Sequence, residues 1–171
     1  MKKLIAVMIP LFFIVTMSLT PGSRAAEPEY KPVPQDSSTI SVYIDQLHIG
    51  KDGNEIIVDP IQWYEGKEAE VAFQEHEPDA GIDGPPDGYY IVNDDEQLTH
   101  YPLAKDAEVL MQIYDHSGNI EDLDIHWNEF ISLAKFGEIF SQSDLIDLSQ
   151  FPYHITIKNG QVVRIVQQYI P

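Results

Sequence analysis

The chain has no cysteine among its 171 residues. Disulfides and the acylated cysteine of a bacterial lipoprotein are therefore both excluded, and stability has to come from a packed core. Basic residues are scarce as well: ten Lys and Arg stand against 28 Asp and Glu, a formal net charge of −18 with the six histidines neutral. So negative a surface repels phosphate backbones and anionic lipid, which argues against nucleic acid as a partner and favours solubility and weak cation binding. The Gly-x-Ser-x-Gly elbow, the His-Glu-x-x-His helix and the glycine-rich phosphate loop are missing too, which leaves a hydrolase or a nucleotide enzyme without support. What is present is apolar enough to fold: 43% hydrophobic and 11% aromatic content is too rich for a disordered chain.

Long hydrophobic runs are limited to one, residues 4–19, interrupted by Pro10, Thr16 and Ser18. Lys2 and Lys3 precede it, and Pro21, Gly22, Ser23, Arg24 and Ala25 follow. That order of basic, apolar and small residues predicts a cleavable secretory signal peptide over 1–25, with the cut before Ala26. The run is shorter than the ~20 residues a spanning helix needs, so no membrane anchor is expected after cleavage. Cleavage would leave 146 residues, the size of one domain, with seven basic against 28 acidic side chains and a net charge of −21. The expected location is secreted or extracellular, including association with the cell wall.

Residues 26–38 contain three prolines and read as an extended tether. A single α+β domain is expected over 39–171. Ile40, Val42, Ile44, Leu47 and Ile49 carry a strand alternation, and Lys51, Asp52, Gly53 and Asn54 turn it into a hairpin. Asp59 and Pro60 should end the pairing. Ala69, Ala72 and Phe73 share one face of a helix over 67–76, and the Asp-, Gly- and Pro-rich stretch 79–88 is a loop. Three separate strands follow, 89–92, 98–103 and 108–114. Trp127, Phe130, Ile131 and Ala134 then fall at helical spacing, with Gly137 able to end that helix. Residues 153–157 and 162–170 form a closing hairpin round Asn159 and Gly160. A two-residue turn sets Ile155 opposite Arg164, whereas a three-residue loop with a Gly160 bulge sets Ile155 opposite Val163. The second keeps one apolar face and is preferred. The whole predicts a mainly antiparallel, strongly curved sheet or small β-barrel of about seven strands with two short helices.

Three blocks carry a resemblance: Asp59, Pro60 and Trp63; Pro86, Asp87, Gly88, Tyr89, Tyr90, Ile91 and Asn93; and the hairpin of 152–171, with Asn159, Gly160, Val162, Val163, Gln168 and Tyr169. Together they resemble an uncharacterised family of small exported bacterial proteins, many of them lipoproteins or cell-envelope proteins. The resemblance implies an envelope role, and no catalytic residues are carried over with it. The absence of the acylated cysteine departs from the lipoprotein members.

Candidate sites are few. Asp79, Asp83 and Asp87, with Gly84, echo a calcium loop, but Gly81 and Tyr90 stand where further ligands belong, so a solvated loop is the plainer reading. Asp122, Asp124 and His126 occupy every second position and, with His116, offer imidazole and carboxylate to a transition metal; capping of the Trp127 helix is preferred for the two aspartates. His100 and His154 fall on the polar phase of their strands, where exposure is expected. Trp63, Tyr64, Tyr89, Tyr90, Tyr101 and Trp127 could line a groove for sugar or peptide, while core packing accounts for most of them equally well, with Trp63 and Trp127 expected to be buried. The leading expectation is a non-catalytic exported domain binding a small ligand or an envelope partner. The alternatives are a metal-dependent enzyme using His116, Asp122, Asp124, His126 or His154, and a calcium-responsive acidic protein using Asp79, Asp83 and Asp87.

Overall fold

The structure, a computed structural model, describes residues 29–34, 36–95 and 97–171. The expected signal peptide and residues 26–28 lie outside them. Among the described residues no helix is long and apolar enough to cross a membrane.

Among the described residues seven strands and two α-helices follow in the order β1 (Thr39–Gly50), β2 (Gly53–Glu65), α1 (Gly66–His76), β3 (Tyr89–Val92), β4 (Thr99–Met111), β5 (Glu129–Ile131), α2 (Leu133–Phe140), β6 (Pro152–Lys158) and β7 (Gln161–Gln167). Strands neighbour one another as β3-β2-β1-β6-β7-β4-β5, and an additional β2–β4 pairing closes β1, β2, β4, β7 and β6 into a five-stranded barrel. β3 and β5 lie outside it. Only β4 and β7 run parallel. A closed five-stranded barrel with a helix between its third and fourth strands is the architecture of an OB-type barrel, a likeness of fold that carries no function by itself.

The alternation predicted for β1 fills the interior. Val42 and Ile44 meet Ile56 and Val58 of β2, Val109 and Met111 of β4, Tyr153 and Ile155 of β6, and Val162 and Ile165 of β7, all buried in one cluster. α2 adds Leu133, Phe136 and Ile139 to it. The buried Tyr153 hydroxyl donates to the Leu148 carbonyl at 2.9 Å, so its polar end is satisfied inside the core.

Five expectations are corrected. β2 does not stop at Pro60: β4 pairs with it up to Val58 and β3 only from Gln62, so the proline nitrogen falls in the gap between two partners. The strands expected at 98–103 and 108–114 are one strand, β4, whose register with β7 shifts between Leu103 and Glu108. No helix starts at Trp127; residues 129–131 pair with β4, and α2 begins after Ser132, whose Oγ accepts from the Lys135 N–H at 3.1 Å. Gly137 lies inside α2, where a Cβ would sit 2.7 Å from Ile49 Cδ1, so its lack of a side chain serves close packing. The closing hairpin takes neither register as stated. Asn159 and Gly160 (φ 52° and 75°) form a two-residue turn, and a bulge at Val163 then sets Ile155 opposite Ile165.

These corrections distinguish two apolar residues. Ile155→Ala should cost ~2–5 kcal/mol by opening a core cavity. Phe130→Ala, at a position 66% exposed, should stay within about 0.5 kcal/mol. Denaturant unfolding of both variants checks this, and a large loss at Phe130 would restore the helix reading.

Candidate functional site

Beyond Ile61, which still pairs with Ser41 of β1, the last residues of β2 leave the barrel and pair only with β3, Trp63 opposite Ile91 and Glu65 opposite Tyr89. Side chains alternate across this two-stranded extension. α1 covers one face, with Phe73 edge-on to Tyr90 at 5.5 Å and Ala69, Ala72 and Val92 buried. The Gly66 N–H donates to the Gly88 carbonyl at 3.0 Å and ties the start of α1 to the start of β3.

The other face carries Trp63, Glu65 and Tyr89. Trp63 and Tyr89 are diagonal neighbours and stack, with ring centroids 4.7 Å apart and planes 13° apart. Both rings are half-buried rather than core residues. The Trp63 Nε1–H is shielded from solvent and has no acceptor among the described residues. Together with Tyr30, Asp87, Gly88, Gln168, Tyr169 and Pro171, these side chains line a cleft of about 250 Å³.

His154 sits behind the cleft, its ring edge-on to Trp63 at 6.0 Å. Contrary to the expected exposure it is only 1% exposed. It belongs to an outward-facing row running Ile61, Ser41, His154, Val166, Leu110 from β2 to β4, in which Val166 is buried as well, and Trp63 and Gln168 pack against its ring. Its Nε2–H donates to Gln168 Oε1 at 3.1 Å, because Gln168 Nε2 is used on the Tyr169 carbonyl; the Ser41 hydroxyl donates to Nδ1 at 3.1 Å. Burial holds the His154 pKa below its usual value, against smaller opposing effects of Gln168 and the Glu65 charge. This serine–histidine contact differs from a nucleophile pair: a neutral amide, not a carboxylate, holds the second ring nitrogen, leaving the imidazolium of a proton transfer without its stabilising partner.

A buried amide network holds the rest of the wall. The Gln112 and Ile113 N–H groups both donate to Gln167 Oε1 at 2.9 Å, Gln112 Nε2 donates to the Gln167 carbonyl at 3.0 Å, and the Asn128 N–H donates to Gln112 Oε1 at 2.8 Å. It fixes the Trp127 segment beside the C-terminal residues, where Trp127 lies edge-on to both Tyr30 (5.1 Å) and Tyr169 (5.7 Å).

Of the aromatic residues proposed from sequence, Trp63 and Tyr89 meet in the cleft and Trp127 supports its rim, half-buried instead of buried. Tyr64 and Tyr90 pair on the opposite face, and Tyr101 packs against the barrel core. Glu65, Gln168 and Tyr169 were missed as lining residues. The closing block of the resemblance contains the last two, while only the β2–β3 register could have shown Glu65.

Metal candidates are not brought together. Among the described residues no group of three or more His, Asp or Glu is placed to hold a metal ion. Asp79, Asp83 and Asp87 are exposed; Asp83 lines a separate depression with Glu77, and Asp87 lines the aromatic cleft. Asp122 accepts from the Ser117 hydroxyl at 2.7 Å, and neither it nor Asp124 caps a helix at Trp127, because none begins there. His126 lies 5.1 Å from the His116 ring, and His116 Nε2 is 3.0 Å from Glu129 Oε2, whose other oxygen accepts from Tyr114. Burial, then the bond to Glu129, pushes the Tyr114 hydroxyl up to about 12. No protein-family model, curated protein or solved structure matches the chain.

The depressed His154 pKa makes stability depend on pH in a defined sense. Below the ordinary histidine value of 6.5 the unfolded chain takes up a proton that the folded one refuses, so stability is full above 6.5 and falls as pH drops toward the lower folded value. His154→Gln should flatten that decline. Melting curves between mildly alkaline and mildly acidic pH test it, and equal slopes for the two proteins would contradict the assignment.

Proposed function

We propose that the chain is exported and acts as a non-catalytic binding domain of the cell envelope, with its ligand seated between Trp63, Tyr89 and the C-terminal residues. The observation that carries this reading is the stacked Trp63–Tyr89 pair. Two large rings lie outside the barrel core, half-open, with one indole N–H lacking an acceptor among the described residues. Aromatic rings with polar tips are the usual lining of a small-ligand site, and a cleft near 250 Å³ falls just under the ~300–1,000 Å³ of sites for drug-sized molecules. It suits one small group, such as a sugar ring, a side chain or a headgroup.

Other depressions fit the role less well. One of about 600 Å³ lies against α1 and is lined by Tyr64, Lys67, Glu68, Val71, Ala72 and Glu75, mostly surface side chains of one helix. Another, of about 410 Å³, has Tyr43 as its one ring, beside Asp45, Asp59, Ser149 and Gln150. The outer face of β2 and β4, where OB-type barrels take oligonucleotides, carries Glu55 beside His100 at 3.3 Å. A carboxylate there and the strongly acidic composition oppose a phosphate backbone.

Titrating the ¹⁵N-labelled domain with sugars, short peptides and amines tests the reading. Amide and indole shifts are expected to concentrate on Trp63, Gly88, Tyr89 and Gln168, and Trp63→Ala should weaken binding by about tenfold or more, as loss of a ring anchor does. Shifts centred on α1 or on the 79–83 loop would contradict it.

A further inference from the structure

Resting on the cleft reading above, we infer that the group it accepts is an organic ammonium. Rings and negative charge converge here, and among the described residues no Lys or Arg lines the cleft. Four of the lining residues are aromatic, Tyr30, Trp63, Tyr89 and Tyr169, and the two charged side chains in the lining are both carboxylates, Glu65 and Asp87. Of the seven Lys and Arg among the described residues, three pair with other acids, Arg164 with Glu108, Lys158 with Asp36 and Lys135 with Glu138, while Lys31, Lys51, Lys67 and Lys105 make no ion pair there. Among the described residues neither Glu65 nor Asp87 has an ion-pair partner. Lys67, close to Glu65 in sequence, lines the separate depression against α1 and Tyr64 instead.

The neighbouring hydroxyls register that unbalanced charge. Tyr30 is raised by burial and then by Glu65, and Tyr89 by burial and then by Asp87. A positive group placed between them would meet two carboxylates and the negative faces of aromatic rings, the combination that recognises alkylammonium ions. An anionic ligand would be repelled by the same two charges. A neutral sugar could stack on the rings and give its hydroxyls to the carboxylates, but it would leave their charge uncompensated. The small volume matches a headgroup such as trimethylammonium rather than a chain of sugars.

Calorimetric titration of the mature domain with choline and with its uncharged isostere 3,3-dimethylbutanol separates these cases, with N-acetylglucosamine as the neutral sugar. Choline is expected to bind about tenfold or more tighter than the isostere, the ratio that ~1.4 kcal/mol of cation recognition produces. Raised salt should narrow that ratio. Glu65→Gln combined with Asp87→Asn should abolish the preference while leaving the melting temperature near that of the parent, since both side chains are exposed. Equal binding of choline and the isostere, or binding of N-acetylglucosamine alone, would overturn the ammonium inference and leave the binding cleft standing. If none of the three perturbs the Trp63 indole signal, the inference and the cleft reading both fall.

Discussion

Pro60 has no N–H to give a neighbouring strand, and β2 carries that defect across the gap between two partners. On its N-terminal side Glu55 to Val58 pair with β4 and close the barrel; on its C-terminal side residues 62–65 pair with β3. One strand of 13 residues therefore belongs to two structures. The first buries Ile56 and Val58 in the main core, while the second is held by α1 through Ala69, Ala72 and Phe73, which lie outside that core cluster. Trp63, Glu65 and Tyr89 stand on the extension because it projects beyond the closed barrel, where a face can remain partly open. The cleft is a consequence of where β2 changes partners.

The other wall depends on polar groups in unusual places. His154, Gln112, Gln167 and Gln168 are all buried, and each loss of a partner would leave a desolvated donor or acceptor costing ~1–3 kcal/mol. Their bonds run between the ends of β4 and β7, the Asn128 turn and the C-terminal residues. An apolar core could hold the barrel equally well. Directional bonds additionally fix the positions of Trp127 and Tyr169, and fixed rings are what a binding site requires.

Local patterns were legible where local physics decides the outcome. The alternation of Ile40, Val42 and Ile44 marked β1, the spacing of Ala69, Ala72 and Phe73 marked the buried face of α1, and Asn159 with Gly160 marked the last turn. The outline of a small barrel with seven strands and two helices was readable from their order. The misreadings occur where a distant partner decides. Lys105 and Asp106 interrupt the apolar pattern of β4, yet β2 and β7 hold both ends of it in one strand. Phe130 keeps helical spacing with Trp127 but lies in a short edge strand facing solvent. Half of the cleft was visible as aromatic residues; the carboxylates and the C-terminal wall were not, because their proximity is a matter of register between β2 and β3 and of chain crossing between β6 and the tail.

Native-state hydrogen exchange tests the two-part construction most directly, since sites that must admit a ligand are drawn from the less stable parts of a fold. Amides of the barrel, such as Val58, Val109, Ile155 and Ile165, should exchange only through global unfolding. Those pairing residues 62–65 with 89–92 should open at a lower free energy, together with α1 and as one unit. A single exchange free energy across both groups would contradict the division of β2 at Pro60 and, with it, the account of how the cleft is built.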